Sequence, residues 1–252
     1  MIELLLVGVG AGNPKHLTLE AIEALNSADV ILIPRKGPGK DDLAGLRRAI
    51  CRDALHNGGP HQHEFDLPVR DPKTPDYIQR VNNWHDAISA AWIDAITSQV
   101  GNSGRVAFLV WGDPSLYDST LRIAERVQTK LPLSLTVIPG ITSVQALTAG
   151  HAIPLNTLGA PVTITTGRQL REHGWPDNTE TLVVMLDAGG AFESLPPEDF
   201  DIWWSAFAGM PEEVRIAGPL ISVANDILET RSKARADHGW IMDVYLLRRR
   251  TA

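Results

Sequence analysis

Cysteine is nearly missing from this chain: Cys51 is the only one in 252 residues, which excludes an internal disulfide and any multi-thiolate metal site. Long apolar runs are missing too, none approaching the roughly 20 residues that span a bilayer. Basic residues are in deficit, 23 Lys and Arg against 30 Asp and Glu, for a formal net charge of −7 and a pI near 5.6. No general attraction to nucleic acid or an anionic membrane is therefore expected, and an anionic substrate would need a local basic patch. The opening MIELLLVGVGAG has no basic segment and reaches glycines too soon for a signal core, so a cytoplasmic location is expected. No internal repeat or low-complexity tract is evident. With 44% apolar and 21% charged residues, the composition is that of an ordinary globular protein, long enough for one large or two modest domains.

The stretch RVAFLVWGDPSLYD, Arg105 to Asp118, organises the reading. Val106 to Trp111 is an unbroken apolar run with β-branched and aromatic members, which predicts a strand covered on both faces. It stops at Gly112-Asp113-Pro114, where Asp113 fits an N-cap and Pro114 the first position of a helix continuing through LRIAERV. A strand that turns into a helix at its carboxyl end is where open α/β sheets bind small ligands. Two other stretches share this character. Ile2 to Val7 predicts a first strand, followed by Gly8, Gly10 and Gly12 and a helix capped by Thr18. Leu135 to Ile138 predicts another strand, running into Pro139-Gly140-Ile141-Thr142-Ser143 and a helix to about Ala149.

Between these lie a second strand, Val30 to Ile33, a helix from Asp42 to Leu55, and a long helix opening at Thr74-Pro75 and reaching about Ser98. Ile78, Val81, Trp84, Ile88, Ala91 and Ala95 would line its apolar face, with His85 and Asp86 beside it. His56, His61 and His63 cluster near a predicted strand, and loop histidines are favoured there over a metal site for want of acidic or thiolate ligands. His151 to Pro161 is the best linker, giving domains 1–153 and 154–252. Beyond it, strands at Val162–Thr166, Thr181–Leu186, Ile202–Phe207, Val214–Ala217 and Trp240–Leu247 with few long helices predict a mixed sheet.

A dinucleotide fingerprint fits poorly. Its sixth place holds Asn13 rather than Gly, and Pro34-Arg35 stands where an acidic ribose ligand belongs. An NADP-dependent reductase using Arg35 and Lys36 is the competing reading from another enzyme class.

VGVGAG with LTLEAIEALNSADVIL, then LVWGDPSLY, then VIPGITS, resemble the tetrapyrrole methylases, a family of S-adenosylmethionine-dependent methyltransferases, and the likeness continues through TLVVML. WGDPSLYDST, DIWWSAFAGMPEEV and GWIMDVYLLRR look most like the cobalamin-pathway branch that methylates C-1 of precorrin-5 and releases acetate. The resemblance implies two α/β domains, mainly parallel then mixed, with S-adenosylmethionine folded in the cleft between them, and a homodimer. It also implies cofactor contacts at Ala11, Gly112, Asp113, Leu116, Thr142, Ser143, Met185, Leu186 and Gly209. Some relatives carry an Asp just after the second strand, where this chain has Pro34, so a base at that place does not carry over. Arg35 and Lys36 become candidates for substrate carboxylates, as do Lys40, Arg168 and Arg171 in loops near strand ends. Methyl transfer from a sulfonium needs alignment and water exclusion more than a nucleophilic triad, and none stands out. Deacetylation needs water attack helped by a base; His85, Asp86 and Asp118 are the candidates. Other methylases of this fold, acting on uroporphyrinogen, a different precorrin or diphthamide, remain alternatives.

Overall fold

The opening run IELLLVG forms β1, Ile2–Gly8, and sends alternate side chains to opposite faces of a sheet. Ile2, Leu4 and Leu6 pack with Ile88, Trp92 and Ile96, whereas Leu5 and Val7 pack with Ala21, Leu25, Ile50 and Cys51. A strand clothed on both faces requires continuous apolar sequence, which explains why neither β1 nor its neighbour, the strand over Gly104–Val110, alternates. Each fully buried large aliphatic side chain contributes about 1.5–3 kcal/mol.

The computed structural model describes residues 1–35, 42–56, 59–71 and 73–250. They fold as two compact units, Met1–Ile141 and Thr142–Ala252. In the first, β2 (Val30–Arg35), β3 (His61–Asp66), β4 (Gly104–Val110) and β5 (Leu133–Ile138) join β1 in a wholly parallel sheet of order β3-β2-β4-β1-β5. Helices α1 (Leu19–Asn26), α2 (Asp42–Ala54), α3 (Tyr77–Val100) and α4 (Thr120–Gln128) cover it. Thr18 caps α1 as expected, its Oγ1 accepting the Ala21 N–H at 3.0 Å.

Two expectations need correction here. The helix after β4 does not start at Pro114. Nine residues of loop intervene before α4, because Asp113 spends its carboxylate on Ser115 and Gly140 instead of on a helix start. The apolar face of α3 is also shifted. Ile78 is 70% exposed, and the buried face is His85, Ile88, Ser89, Trp92, Ala95 and Ile96, with Trp92 stacked on Phe108 at 4.0 Å between centroids.

The second unit opens with α5 (Ser143–His151). It continues through β6 (Val162–Thr166), α6 (Gly167–His173), β7 (Thr181–Met185), β8 (Phe200–Ala206), β9 (Val214–Pro219), α7 (Leu220–His238) and β10 (Asp243–Arg249). Its sheet has the order β6-β7-β10-β8-β9, parallel between β6 and β7 and antiparallel elsewhere, the mixed sheet the sequence leads one to expect. The 19-residue α7 was not expected. Its buried residues are Leu220, Ile227 and Ala234, one every second turn, too sparse a stripe to stand out in sequence.

Candidate functional site

The carboxyl ends of β4, β1 and β5 lie side by side in the first sheet, and their loops are locked together through backbone. Gly10 and Gly112 form an isolated antiparallel bridge, Gly112 N–H to Gly10 O at 2.9 Å and Gly10 N–H to Gly112 O at 3.3 Å. Gly112 has a φ of +67°, which a side chain would resist. Gly8, Gly112 and Gly140 meet so closely that a Cβ on Gly8 would stand 2.6 Å from Gly140 N, and one on Gly140 would overlap the Gly112 carbonyl. Only main chain fits at this crossing.

Asp113 completes the lock. One carboxylate oxygen accepts the Ser115 N–H at 2.8 Å and the Ser115 hydroxyl, and the other accepts the Gly140 N–H at 2.8 Å. Partial burial works to raise its pKa, but the bonds from Ser115 and Gly140 outweigh that and hold the carboxyl below the usual range. Ala11 is buried beside this crossing in sequence, and Leu116, half-buried, donates its N–H to the Asp113 carbonyl at 3.3 Å. After the glycines the chain makes a short 3₁₀ turn, Pro14–His16, capped by Asn13, and α1 begins only at Leu19. No helix N-terminus directly follows the glycine loop, as a pyrophosphate would require.

In the second unit, Thr142 caps α5 in a reciprocal box with Gln145, with Ser143 in the first helical position. Met185 ends β7 half-buried. Leu186 follows in a left-handed conformation, φ +52°, and 64% exposed. Phe207 and Gly209, φ +53° and +80°, shape the turn after β8, closed by the Met210 N–H to Phe207 O bond at 2.9 Å. The buried group beside Leu186 is Asp187, which carries a tight hydrogen-bond network. Sequence reading missed it because its partners, Arg171 and Tyr245, are remote along the chain.

The basic candidates divide. Arg35, at the end of β2, grips Asp66 through two 3.0 Å bonds and stands 3.7 Å from Glu64, so its charge is already answered. Lys36 and Lys40 lie outside the described residues. Arg168 is exposed in the first turn of α6, and Arg171 is paired with Asp187 at 2.6 Å. A cation that sequence reading passed over is Arg47 on α2, which donates to the Leu109 carbonyl at 3.0 Å close to the β4 loop. Burial works to lower its pKa and the nearby Asp118 opposes this.

The candidate bases also differ in their commitments. His85 is 6% exposed, and burial together with Arg126 and Arg122 lowers its pKa, so the imidazole is neutral at neutral pH. Asp86 is exposed and paired with Arg126 at 2.8 Å. Asp118 accepts the Thr120 N–H at 2.6 Å and the Thr120 hydroxyl at the start of α4. His61 and His63 do share one face of β3, with ring centroids 6.4 Å apart, whereas His56 is fixed through its backbone to Asn26. Among the described residues, no group of three or more His, Cys, Asp or Glu side chains could hold a metal ion.

The model of the Tetrapyrrole (Corrin/Porphyrin) Methylases matches residues 3–224. A Precorrin-6A synthase [deacetylating] of Sinorhizobium sp is 47% identical over 99% of this chain and 96% of its own length. The crystal structure of a cobalamin synthesis related protein (CobF) from Corynebacterium diphtheriae superposes with a TM-score of 0.84 at 37% identity, covering 98% of each chain. A uroporphyrin-III C-methyl transferase from Thermus thermophilus, crystallised with S-adenosylhomocysteine, shares the fold at a TM-score of 0.59 and 20% identity, over 97% of this chain and 96% of its own.

Proposed function

The chain belongs to the tetrapyrrole methylases, and from this we propose that it is the C-methyltransferase of cobalamin biosynthesis that converts precorrin-5 to precorrin-6A, methylating C-1 and releasing acetate. The observation that carries the reading is the 47% identity to a precorrin-6A synthase across 99% of the chain.

The loops fit a small ligand approached by main chain. Gly8, Gly112 and Gly140 leave no room for side chains at the sheet edge, and Asp113 stiffens the crossing. We assign cofactor contacts to Ala11, Gly112, Asp113, Leu116, Thr142, Ser143, Met185, Leu186 and Gly209. S-adenosylmethionine, when bound, supplies a methyl group activated by its sulfonium. The protein's own task is to align that donor with the ring carbon and keep water from the exchange. Leu186, apolar and held outward, suits packing against the adenosyl group.

Acetate release begins with water adding to the acetyl carbonyl while a base accepts the water proton. The bond from C-1 to the acetyl carbon then breaks, its electron pair staying on C-1, the carbon that becomes methylated. Of the three candidate bases, His85 is the neutral one, whereas Asp86 and Asp118 are engaged by Arg126 and Thr120. We place His85 first, then Asp118 and Asp86. Arg168 and Lys36 are assigned to substrate carboxylates, and Arg35 would have to exchange Asp66 and Glu64 for them. The working form is expected to be a cytoplasmic homodimer, which sedimentation can check.

Two experiments test the reading. Calorimetric titration should show binding of S-adenosylhomocysteine and none of NADPH; the reverse would support the reductase alternative. Incubation with precorrin-5 and a labelled methyl donor should give one methylated, deacetylated product with one acetate per turnover. Methyl transfer to uroporphyrinogen or to another precorrin instead would assign a different methylase of the same fold.

A further inference from the structure

Asp187 follows Leu186 directly at the carboxyl end of β7, and its side chain is 1% exposed. Four donors meet its carboxylate: Gly189 N–H at 3.1 Å, Ala191 N–H at 2.6 Å, the Tyr245 hydroxyl at 2.8 Å and Arg171 Nη1 at 2.6 Å. Arg231 adds a bond to the Asp187 carbonyl at 2.9 Å while its Nε holds the Asp243 carboxylate at 2.9 Å, so backbone and side chain of Asp187 are both anchored. Space is also reserved for it. A Cβ on Gly167, the first residue of α6, would stand 2.7 Å from the Asp187 Cβ.

A buried carboxylate is costly unless it is fully bonded, and here elements from α6 to β10 are recruited to satisfy one. The neighbouring residue shows what the arrangement accomplishes. Leu186 has a left-handed φ of +52°, which a residue with a side chain resists, and it leaves an apolar side chain 64% exposed. Neither feature helps the fold by itself. Both make sense if Leu186 is being presented to something.

We propose that Asp187 is a positioning residue that pins the chain behind Leu186 so that Leu186 offers its side chain to the adenosyl group of the methyl donor. The inference rests on the cofactor reading above and deepens it, since none of the atoms of Asp187 need touch the ligand.

The test is calorimetric binding of S-adenosylhomocysteine at a temperature well below the melting midpoint, with kinetics alongside. Asp187→Asn keeps the shape but not the charge or the full set of acceptors, and should raise the dissociation constant about tenfold. Tyr245→Phe deletes one bond, retains the ring packed edge-on to Phe192, and should raise it about threefold. In both, KM for the donor should rise while kcat at saturation stays within about twofold. With Leu186→Ala as background, either change should add less than about twofold, because its route to the ligand is gone. If Asp187→Asn does not fold, Tyr245→Phe decides. Folded variants that bind like the unaltered protein, or effects that simply add to Leu186→Ala, overturn the positioning role alone. Failure of the unaltered protein to bind S-adenosylhomocysteine overturns the proposed function instead.

Discussion

The Asp113 carboxylate accepts the Gly140 N–H at 2.8 Å, tying the loop after β4 to the loop after β5 across the end of β1. Asp113→Asn should weaken this tie and cost about 1–2 kcal/mol of stability at pH 7, read from urea unfolding. The sign with pH follows from the lowered pKa. The contribution is fully present above the ordinary carboxylate value and disappears as pH falls through the lower folded value. The gap between variant and unaltered protein should therefore narrow below about pH 4. A gap that stays constant into acid would show that the charge of Asp113 does not matter.

Gly140→Ala tests the main-chain crossing directly. Its Cβ would overlap the Gly112 carbonyl and stand 2.8 Å from Gly8 Cα, and backbone on both sides cannot swing away. A loss of about 1–3 kcal/mol is expected, with S-adenosylhomocysteine binding weakened as the loops part. Gly45→Ala in α2 is the control, because the nearest atom to its Cβ is a flexible Arg48 nitrogen at 3.8 Å. It should stabilise by about 0.5–1 kcal/mol. Equal melting shifts for the two substitutions would remove the crossing from the account.

Much of the first unit could be read from sequence because its signals are local. Unbroken apolar runs gave the buried strands, Thr18 announced its helix, as Thr142 did at the start of the second unit, and the glycine clusters marked the sheet-edge loops. What escaped was long-range. Asp113 before Pro114 looks like a helix start, and only the arrival of Gly140 shows why its carboxylate is spent elsewhere. The same holds for Arg35, legible as a cation but not as one already gripped by Asp66 on the adjacent strand. Asp187 reads as a turn residue until Tyr245 and Arg171 are brought to it. Arg47 sits in an unremarkable helix whose fold carries it to the Leu109 carbonyl.

Cys51 should be chemically silent. It is fully buried against β1 and β2 residues, and burial pushes its thiol up to about 11. Because the thiolate is the reactive form, Ellman's reagent at pH 8 should label the native protein only at the rate of unfolding and label it at once in urea. Rapid native labelling would place Cys51 nearer the surface than the packing of α2 allows.

His85 joins stability to chemistry. Its folded pKa lies below 6.5 because burial and the Arg126 and Arg122 guanidiniums disfavour the imidazolium. Such a group contributes stability above the unfolded value, which is lost as pH falls below it, since the unfolded chain takes up the proton first. The urea midpoint should therefore decline from about pH 6.5 downward, and His85→Gln should flatten part of that decline. The rest would remain with His151, lowered likewise by burial in its own unit. If His85 also takes the proton of the attacking water, His85→Gln should slow acetate release by about a hundredfold or more while S-adenosylhomocysteine binds normally. Acetate release at the unaltered rate, alongside the flattened stability curve, would leave His85 a buried core histidine and pass the base to Asp118, whose Thr120 bonds a substrate would then have to displace.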